Sequence, residues 1–268
     1  MGEAVTIDAA ADPRLADYMA LSDPVARRRH ERHEVFVAEG VTVIERLLDS
    51  DHEVRSVLVT PKALDRLAER LAAADAAVYV ATRAVLAETV GFDLHRGAVA
   101  IGRRRPLPSI DEALGSARRV AVLEGLNDPE NVGAIARSAR AFGVDALILD
   151  PTCIDPYYRR TIRVSMGEIL HLTVARATTW PDDLGLVTAH GFELWALTPR
   201  ADADALFALD VPERVAILLG AEGDGLSAAA MARADRRVRI PMVPVADSLN
   251  VGHAAAVAFS RIRSDAAR

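Results

Sequence analysis

Short apolar runs alternate with amphipathic segments through the second half of this chain. Six runs of four or five residues are typical of buried strands. They are Val120–Leu123, Ala146–Leu149, Leu172–Ala175, Glu193–Leu197, Val215–Leu219 and Arg237–Ile240. Between the first two, Val132, Ile135, Ala136 and Ala139 have the i, i+3, i+4, i+7 spacing of one buried helix face. Further helices are predicted after Pro181, after Ser227 and over Leu249–Ile262. This alternation predicts an α/β fold, with a mostly parallel six-stranded sheet covered on both faces.

The first hundred residues contain a second, smaller alternating unit. The predicted helices are Pro24–His33, Val41–Leu48 and Lys62–Ala73, and the predicted strands are Val54–Val59, Val78–Val80 and Gly97–Ile101. A basic segment with two prolines and no apolar period, Gly102–Ser109, separates the two halves. We therefore expect one domain over residues 1–105, a linker over residues 106–117 and a second domain over residues 118–268.

Composition narrows the class of protein further. The chain has 268 residues, of which 51% are hydrophobic and 26% charged, so it is globular and not mainly disordered. Its one cysteine, Cys153, excludes internal disulfides and zinc sites with several cysteines, and no metal site is predicted. The formal net charge of −6 argues against nucleic-acid binding through bulk charge but leaves local basic patches open. With neither a secretory signal nor a run of about 18 apolar residues, we expect a cytoplasmic protein without a membrane partner.

Three motifs lie where predicted strands end, which is where open α/β sheets bind ligands. The first, Asn131–Arg137, begins a helix whose apolar positions do not explain Arg137. The second, Leu219–Gly225, reads Leu-Gly-Ala-Glu-Gly-Asp-Gly, and its glycines let the backbone turn sharply and approach a ligand closely. The third combines Ile240–Met242 with Ser248–Val251, which begins the last helix.

Together these motifs resemble those of the SpoU (TrmH-like) branch of the SPOUT RNA methyltransferases. The matching patterns are Asn-x-Gly-x-x-x-Arg, Leu-Gly-x-Glu-Gly-x-Gly, and Ile-Pro-Met followed by Ser-Leu-Asn-Val. The first domain is similar, more loosely, to that family's ribosomal-protein-like α/β/α substrate-recognition domain, through Phe36–Gly40 and Leu94–Gly97. The resemblance implies a deep trefoil knot at the C-terminal end and a homodimer formed through the second domain. After Val251 the chain departs from the pattern, because Gly252-His253 stands where many members have serine or alanine.

The resemblance also implies an activity, the transfer of a methyl group from S-adenosylmethionine to a ribose 2′-hydroxyl of structured RNA. By motif position, the residues implied to bind this cofactor are Thr198, Leu219, Gly220, Ile240, Met242 and Leu249. The residues implied to surround the reacting hydroxyl are Arg137, Asn131, Glu222, Ser248 and Asn250. The family mechanism commonly makes the arginine a general base. A guanidinium normally stays protonated, so a cationic role that stabilises the developing alkoxide needs fewer assumptions.

RNA is the implied partner, and the extended first domain favours a 23S-type rRNA over a tRNA. Two arginine clusters are candidate RNA contacts, although a solvated surface explains each of them as well. They are Arg27, Arg28, Arg29 and Arg32 in the first domain, and Arg159, Arg160 and Arg163 beside two tyrosines. Two other functions stay open: an RNA-binding protein that kept the fold without catalysis, and an RNA base N-methyltransferase.

Overall fold

Strands and helices alternate along the computed structural model, which describes residues 4–23, 30, 34–94, 97–243 and 247–263. The strands are β1 Val5–Ile7, β2 Val35–Glu39, β3 Val54–Val59, β4 Ala77–Ala81, β5 Ala98–Arg103, β6 Arg119–Glu124, β7 Ala146–Leu149, β8 Thr173–Arg176, β9 Glu193–Leu197, β10 Asp204–Ala205, β11 Val215–Gly220 and β12 Arg236–Arg239. The helices are α1 Val41–Leu48, α2 Pro61–Ala73, α3 Arg83–Val90, α4 Ile110–Leu114, α5 Pro129–Ala141, α6 Arg159–Val164, α7 Leu184–Ala189, α8 Ala228–Arg233 and α9 Val251–Ile262. None of the helices in these described ranges is both long and apolar enough to cross a membrane.

The chain folds into two compact units. Unit 1 contains Met1–Arg105 and Tyr157–His171, and unit 2 contains Pro106–Pro156 and Leu172–Arg268. The expected second domain over residues 118–268 is therefore interrupted, because residues 157–171 belong to unit 1. Helix α6 of this segment packs against β2, and Glu168 forms an ion pair with Arg46 of α1 at 2.8 Å. These partners lie more than a hundred residues earlier in the chain, so local patterning gave no sign of them.

Unit 1 is built on a five-stranded mixed sheet with the strand order β1-β4-β3-β5-β2. Strands β1, β4 and β3 are parallel, whereas β5 runs antiparallel to both β3 and β2. The predicted helix α1 and strand β3 are confirmed to the residue, and α1 buries Val41, Val43, Ile44 and Leu47 on one face. The predicted helix Pro24–His33 lies outside the described residues except for His30. Strands β1 and β2 and helix α3 were not predicted.

Unit 2 is built on a seven-stranded sheet with the order β10-β12-β9-β11-β6-β7-β8, and every pair of neighbouring strands is parallel. All six predicted strands are present, within about a residue at each end. The expected number of six is wrong because β10 adds a seventh strand at one edge. This strand has two residues, too few to show a hydrophobic period. The knot implied for the C-terminal end stays a prediction.

The predicted linker over residues 106–117 is wrong for most of its length. Helix α4 occupies its centre and begins with a capping box, in which Ser109 and Glu112 satisfy each other's backbone amide groups. Its side chains Ile110 and Leu114 are buried in the core of unit 2, as is Ala117 after it. Pro106 and Pro108 precede this helix and favour a linker in the sequence, although the residues after them form an amphipathic helical turn.

Candidate functional site

A cavity of about 440 Å³ opens in unit 2 beyond the carboxyl ends of β9, β11 and β12. All six residues predicted to bind a cofactor line it: Thr198, Leu219, Gly220, Ile240, Met242 and Leu249. Three of the five predicted catalytic residues line it as well, namely Glu222, Ser248 and Asn250. Because parallel strands end at one edge of the sheet, motifs far apart in sequence come together here.

The turn after β11 depends on glycine at one position above all. A Cβ atom on Gly220 would lie 2.4 Å from the backbone nitrogen of Leu226 and from the carbonyl carbon of Gly225. Residues 221–225 close on themselves, since the Gly225 amide donates to the Ala221 carbonyl at 3.0 Å. Gly225 itself has a positive φ of 69°. Gly220, Gly223 and Gly225 line the cavity and have no side chains, so this turn contributes backbone atoms to the cavity wall.

A buried carboxylate, Glu124, supports the same turn from behind. It ends β6, beside Gly220 in the sheet register, and is 7% exposed. One carboxylate oxygen accepts from the indole N–H of Trp180 at 2.7 Å and from the Ser227 hydroxyl at 2.7 Å, and the other accepts from the Ser227 amide at 2.8 Å. Ser227 in turn caps α8. Sequence reasoning missed Glu124, although a lone acid that ends an apolar strand is a signal for a buried polar contact.

Asn250 connects one predicted catalytic residue from each of the three motifs. Its side-chain oxygen accepts from the backbone amides of Gly252 at 2.9 Å and His253 at 3.3 Å, which caps α9. This capping fixes the orientation of the amide, so Nδ2 faces away from the helix. Nδ2 donates to Oδ1 of Asn131 at 2.9 Å and also to Oε1 of Glu222. Asn131 is buried and Glu222 is exposed, so the network runs from the protein interior to the edge of the cavity.

Arg137 is not part of this network. It is exposed on α5 and is not among the described residues that line the cavity. Six residues separate it from Asn131, which places it about a third of a turn away around the helix axis. Among the described residues it has no hydrogen-bond or ion-pair partner. The structure thus joins Asn131, Glu222 and Asn250 by hydrogen bonds and places Ser248 in the lining of the same cavity. It leaves Arg137 on another face of α5, as a cation whose side chain has no partner among the described residues.

The departure at Gly252-His253 leaves the start of α9 intact. The helix begins at Val251 with Asn250 as its cap, so Ser248 lies ahead of the helix and is not its cap. A Cβ atom on Gly252 would lie 3.1 Å from the Cβ of Ala134 on α5. Glycine at this position therefore fits the close packing of α9 against α5.

The predicted RNA contacts have two different outcomes. Arg27, Arg28, Arg29 and Arg32 lie outside the described residues. Arg159 points into unit 1, where its guanidinium is 3.3 Å from Glu39 and 4.9 Å from the ring centre of Phe92. Burial lowers the pKa of Arg159, while Glu39 opposes that shift. Arg159 therefore holds α6 in unit 1, whereas Arg160 and Arg163 are exposed.

Comparisons with known proteins point to one family. Residues 118–260 match the model of the SpoU rRNA Methylase family. A tRNA/rRNA methyltransferase of Mycobacterium bovis is 45% identical over 94% of this chain and 90% of its own length. The 23S rRNA (guanosine(2553)-2′-O)-methyltransferase of Bacillus subtilis is 25% identical over 96% of this chain and 98% of its own length. The crystal structure of an AdoMet-bound rRNA methyltransferase from Sinorhizobium meliloti matches with a TM-score of 0.82 and 25% identity, over 97% of this chain and 98% of that chain.

Proposed function

Because this chain belongs to the SpoU rRNA Methylase family, we propose that it transfers the methyl group of S-adenosylmethionine to a ribose 2′-hydroxyl of RNA. One observation carries the proposal: the Asn131–Asn250 contact joins motifs 119 residues apart at the edge of a single cavity. The names of the Bacillus subtilis and Sinorhizobium meliloti proteins support the acceptor and the cofactor respectively. The full-length match to the former favours an rRNA over a tRNA as the substrate.

The cavity of unit 2 fits this cofactor in size and chemistry. Its volume of about 440 Å³ lies within the range of about 300–1,000 Å³ common for small-molecule sites. Leu197, Ile240 and Leu249 offer an apolar wall for an adenine ring, and the bare backbone of the Gly220 turn offers hydrogen-bonding groups. When bound, the cofactor supplies an electrophilic methyl group attached to a positively charged sulfonium sulfur. The neutral thioether that remains after methyl transfer is a good leaving group.

The chain's own residues have to hold the ribose hydroxyl in line with that methyl group. We place the ribose at the outer end of the Asn250 network, beside Glu222. One oxygen of this exposed carboxylate accepts from Asn250, and the remaining lone pairs can accept a ribose hydroxyl. Asn131 and the capping contacts of Asn250 keep the carboxylate in position. We therefore assign two roles to Glu222: it orients the hydroxyl, and it accepts the proton that the oxygen loses as the bond to the methyl carbon forms.

For Arg137 we propose a cationic role. It is exposed and has no acidic partner among the described residues, so its guanidinium is available to an RNA phosphate. A guanidinium stays protonated in proteins, which makes it a poor acceptor for the hydroxyl proton and a good stabiliser of developing negative charge. We also propose that the protein is a homodimer formed through unit 2. Light scattering on the purified protein measures its mass in solution and so tests this proposal.

Methyl transfer from labelled S-adenosylmethionine tests the proposed function. The substrates are rRNA and tRNA from a strain that lacks the gene, and we expect label in rRNA. Arg137→Ala should lower the rate by about 100-fold or more while calorimetry shows unchanged cofactor affinity. Arg140→Ala, one turn further along α5, is the matched control and should retain the rate.

Three results would contradict the proposal. Label found on a base after nuclease digestion and mass spectrometry would identify an N-methyltransferase. RNA binding without cofactor affinity would identify a non-catalytic binding protein. Full activity of Arg137→Ala would remove that residue from the mechanism.

A further inference from the structure

Unit 1 contains a second cavity, which shares no residue with the site in unit 2. Its volume is about 670 Å³, and it lies where α1, α2 and α3 meet the carboxyl ends of their preceding strands. Three basic side chains line it: Lys62, Arg66 and Arg83. No acidic and no aromatic residue is among the described residues that line it.

The three basic side chains are held in different ways. Lys62 and Arg66 are four residues apart on α2, so they lie on one face of the helix. Both are exposed, and neither has a hydrogen-bond or ion-pair partner among the described residues. Arg83 begins α3 and is oriented by Asp93, whose two oxygens accept from it at 2.9 Å each. Two cations are thus uncompensated, and the third is held in place beside them.

This concentration of charge contrasts with the rest of unit 1. Unit 1, residues 1–105 and 157–171, contains 18 Lys and Arg against 18 Asp and Glu, so its formal net charge is zero. The chain has a single lysine among 32 basic residues, and that lysine is Lys62. A local positive cavity in a unit without net charge is an arrangement that attracts an anion without promoting general binding to nucleic acid.

Backbone groups at the cavity add to the basic side chains. Gly40 and Thr60, the N-cap residues of α1 and α2, make no side-chain capping hydrogen bond. The first-turn amides of Thr42 and Lys62 therefore lack the side-chain acceptor that normally satisfies them, and the positive ends of both helix dipoles face the same cavity.

We propose that this cavity binds phosphate groups of the RNA backbone and thereby holds the substrate on unit 1. The chemistry favours a phosphodiester over a base, because the lining has cations and amide donors but no aromatic ring for stacking. No side-chain amide or carboxylate that reads base edges is present among the described lining residues either. The inference rests on the proposed methylation of RNA and adds the surface that holds the substrate's backbone.

The test removes the two uncompensated cations in the full-length protein. Lys62→Ala/Arg66→Ala is compared with Arg70→Ala, an exposed residue on the same helix that pairs with Asp49 and does not line the cavity. The probe is rRNA purified from a strain that lacks the gene, and affinity is measured by fluorescence anisotropy over a range of salt concentrations. Each lost phosphate contact lowers the slope of log affinity against log salt by about 0.9. We expect the double variant to lose about 1.8 of that slope and Arg70→Ala to lose none.

Two further measurements separate this inference from the proposed function. Calorimetry with S-adenosylmethionine should give the wild-type affinity for the double variant, because the cofactor cavity lies in unit 2. Inorganic phosphate, titrated by calorimetry, should bind weakly to the wild type and should not bind to the double variant.

An unchanged salt slope in the double variant, with methylation retained, would overturn the phosphate site and leave the proposed function standing. Phosphate binding that depends on Lys62 and Arg66 while RNA affinity does not would identify a free-anion site and also overturn the inference. If the wild type does not methylate RNA at all, that result counts against the proposed function alone, because the salt slope still reports RNA binding by the cavity.

Discussion

Replacing Asn250 by aspartate separates the two roles of this side chain. A carboxylate keeps the oxygen that accepts from the amides of Gly252 and His253, and it suits the positive end of the α9 dipole. It lacks the Nδ2 group that donates to Asn131 and Glu222. Asn250→Asp therefore preserves the helix cap and breaks the hydrogen bonds to Asn131 and Glu222, whereas Asn250→Ala loses the cap and the hydrogen bonds.

The contacts set the size of each effect. Loss of the neutral hydrogen bond to Asn131 costs about 1 kcal/mol. Loss of the hydrogen bond to the charged Glu222 costs about 1.5 kcal/mol, which is the lower end of the range for charged partners because Glu222 is exposed. The new carboxylate beside Glu222 adds about 1 kcal/mol of repulsion at water-like screening. Together these losses amount to about 3.5 kcal/mol in the arrangement that holds the ribose hydroxyl, which corresponds to about 400-fold in kcat/KM. The cap is worth about 1 kcal/mol of unfolding free energy, which only Asn250→Ala loses.

Urea unfolding and methyl-transfer kinetics together give two opposite rankings. The exposed Glu222 side chain can turn away from the new carboxylate while no RNA is bound, so the repulsion lowers activity and not folding stability. We therefore expect Asn250→Ala to be the less stable variant by about 1 kcal/mol and Asn250→Asp to be the less active one. In a Glu222→Gln background the cost of Asn250→Asp should shrink by about 1 kcal/mol or more, because the repulsion is gone and a new donor is present. Equal stability of the two Asn250 variants, or strict additivity with Glu222→Gln, would refute this account of the network.

Three further changes test other parts of unit 2. Gly220→Ala places a Cβ 2.4 Å from the Leu226 backbone nitrogen, so it should weaken S-adenosylmethionine binding by about tenfold or more in calorimetry. The control variant is Gly185→Ala, whose Cβ meets no atom within 4 Å and which should bind the cofactor normally. Glu124→Ala leaves the indole N–H of Trp180 and the amide and hydroxyl of Ser227 without their acceptor, and it should lower the urea-unfolding free energy by about 3 kcal/mol. A loss below about 1 kcal/mol would contradict the supporting role of Glu124. Burial raises the pKa of Cys153 to about 12, so the folded protein should resist a thiol reagent at pH 8 that labels it in urea. Because the unfolded thiol ionises first, this residue's share of stability is complete below about pH 9 and should fall as the pH rises toward 12. Cys153→Ala should make that fall shallower, and the buried Tyr18, whose pKa burial also raises, accounts for a further part of it above about pH 10.

Much of unit 2 could be predicted because its strands are buried on both faces. A strand of this kind is a continuous apolar run, such as β7 or β11, and the run itself marks the strand without knowledge of its neighbours. The buried face of α5 was visible for the same reason, since 3.6-residue periodicity is local. The six cofactor contacts implied by motif resemblance all line one cavity of unit 2.

Short or polar elements escaped prediction. Strand β10 has two residues and β1 has three, too few for a period to appear. Helix α4 lies within the predicted linker, because the prolines before it indicate a linker. Ser109 and Glu112 nevertheless have the spacing of a capping box, which indicates the start of a helix. Local signals of this kind compete with one another, and only packing decides between them.

The sequence by itself determined the long apolar strands and the amphipathic helices and singled out three motifs, because each of these patterns depends on neighbouring residues. The tertiary structure alone decided which distant segments meet. It joined Asn131, Glu222 and Asn250, left Arg137 outside their network, returned residues 157–171 to unit 1 and brought three cations around one cavity. Those contacts depend on the order and direction of strands in each sheet, and no local period along the chain records that order.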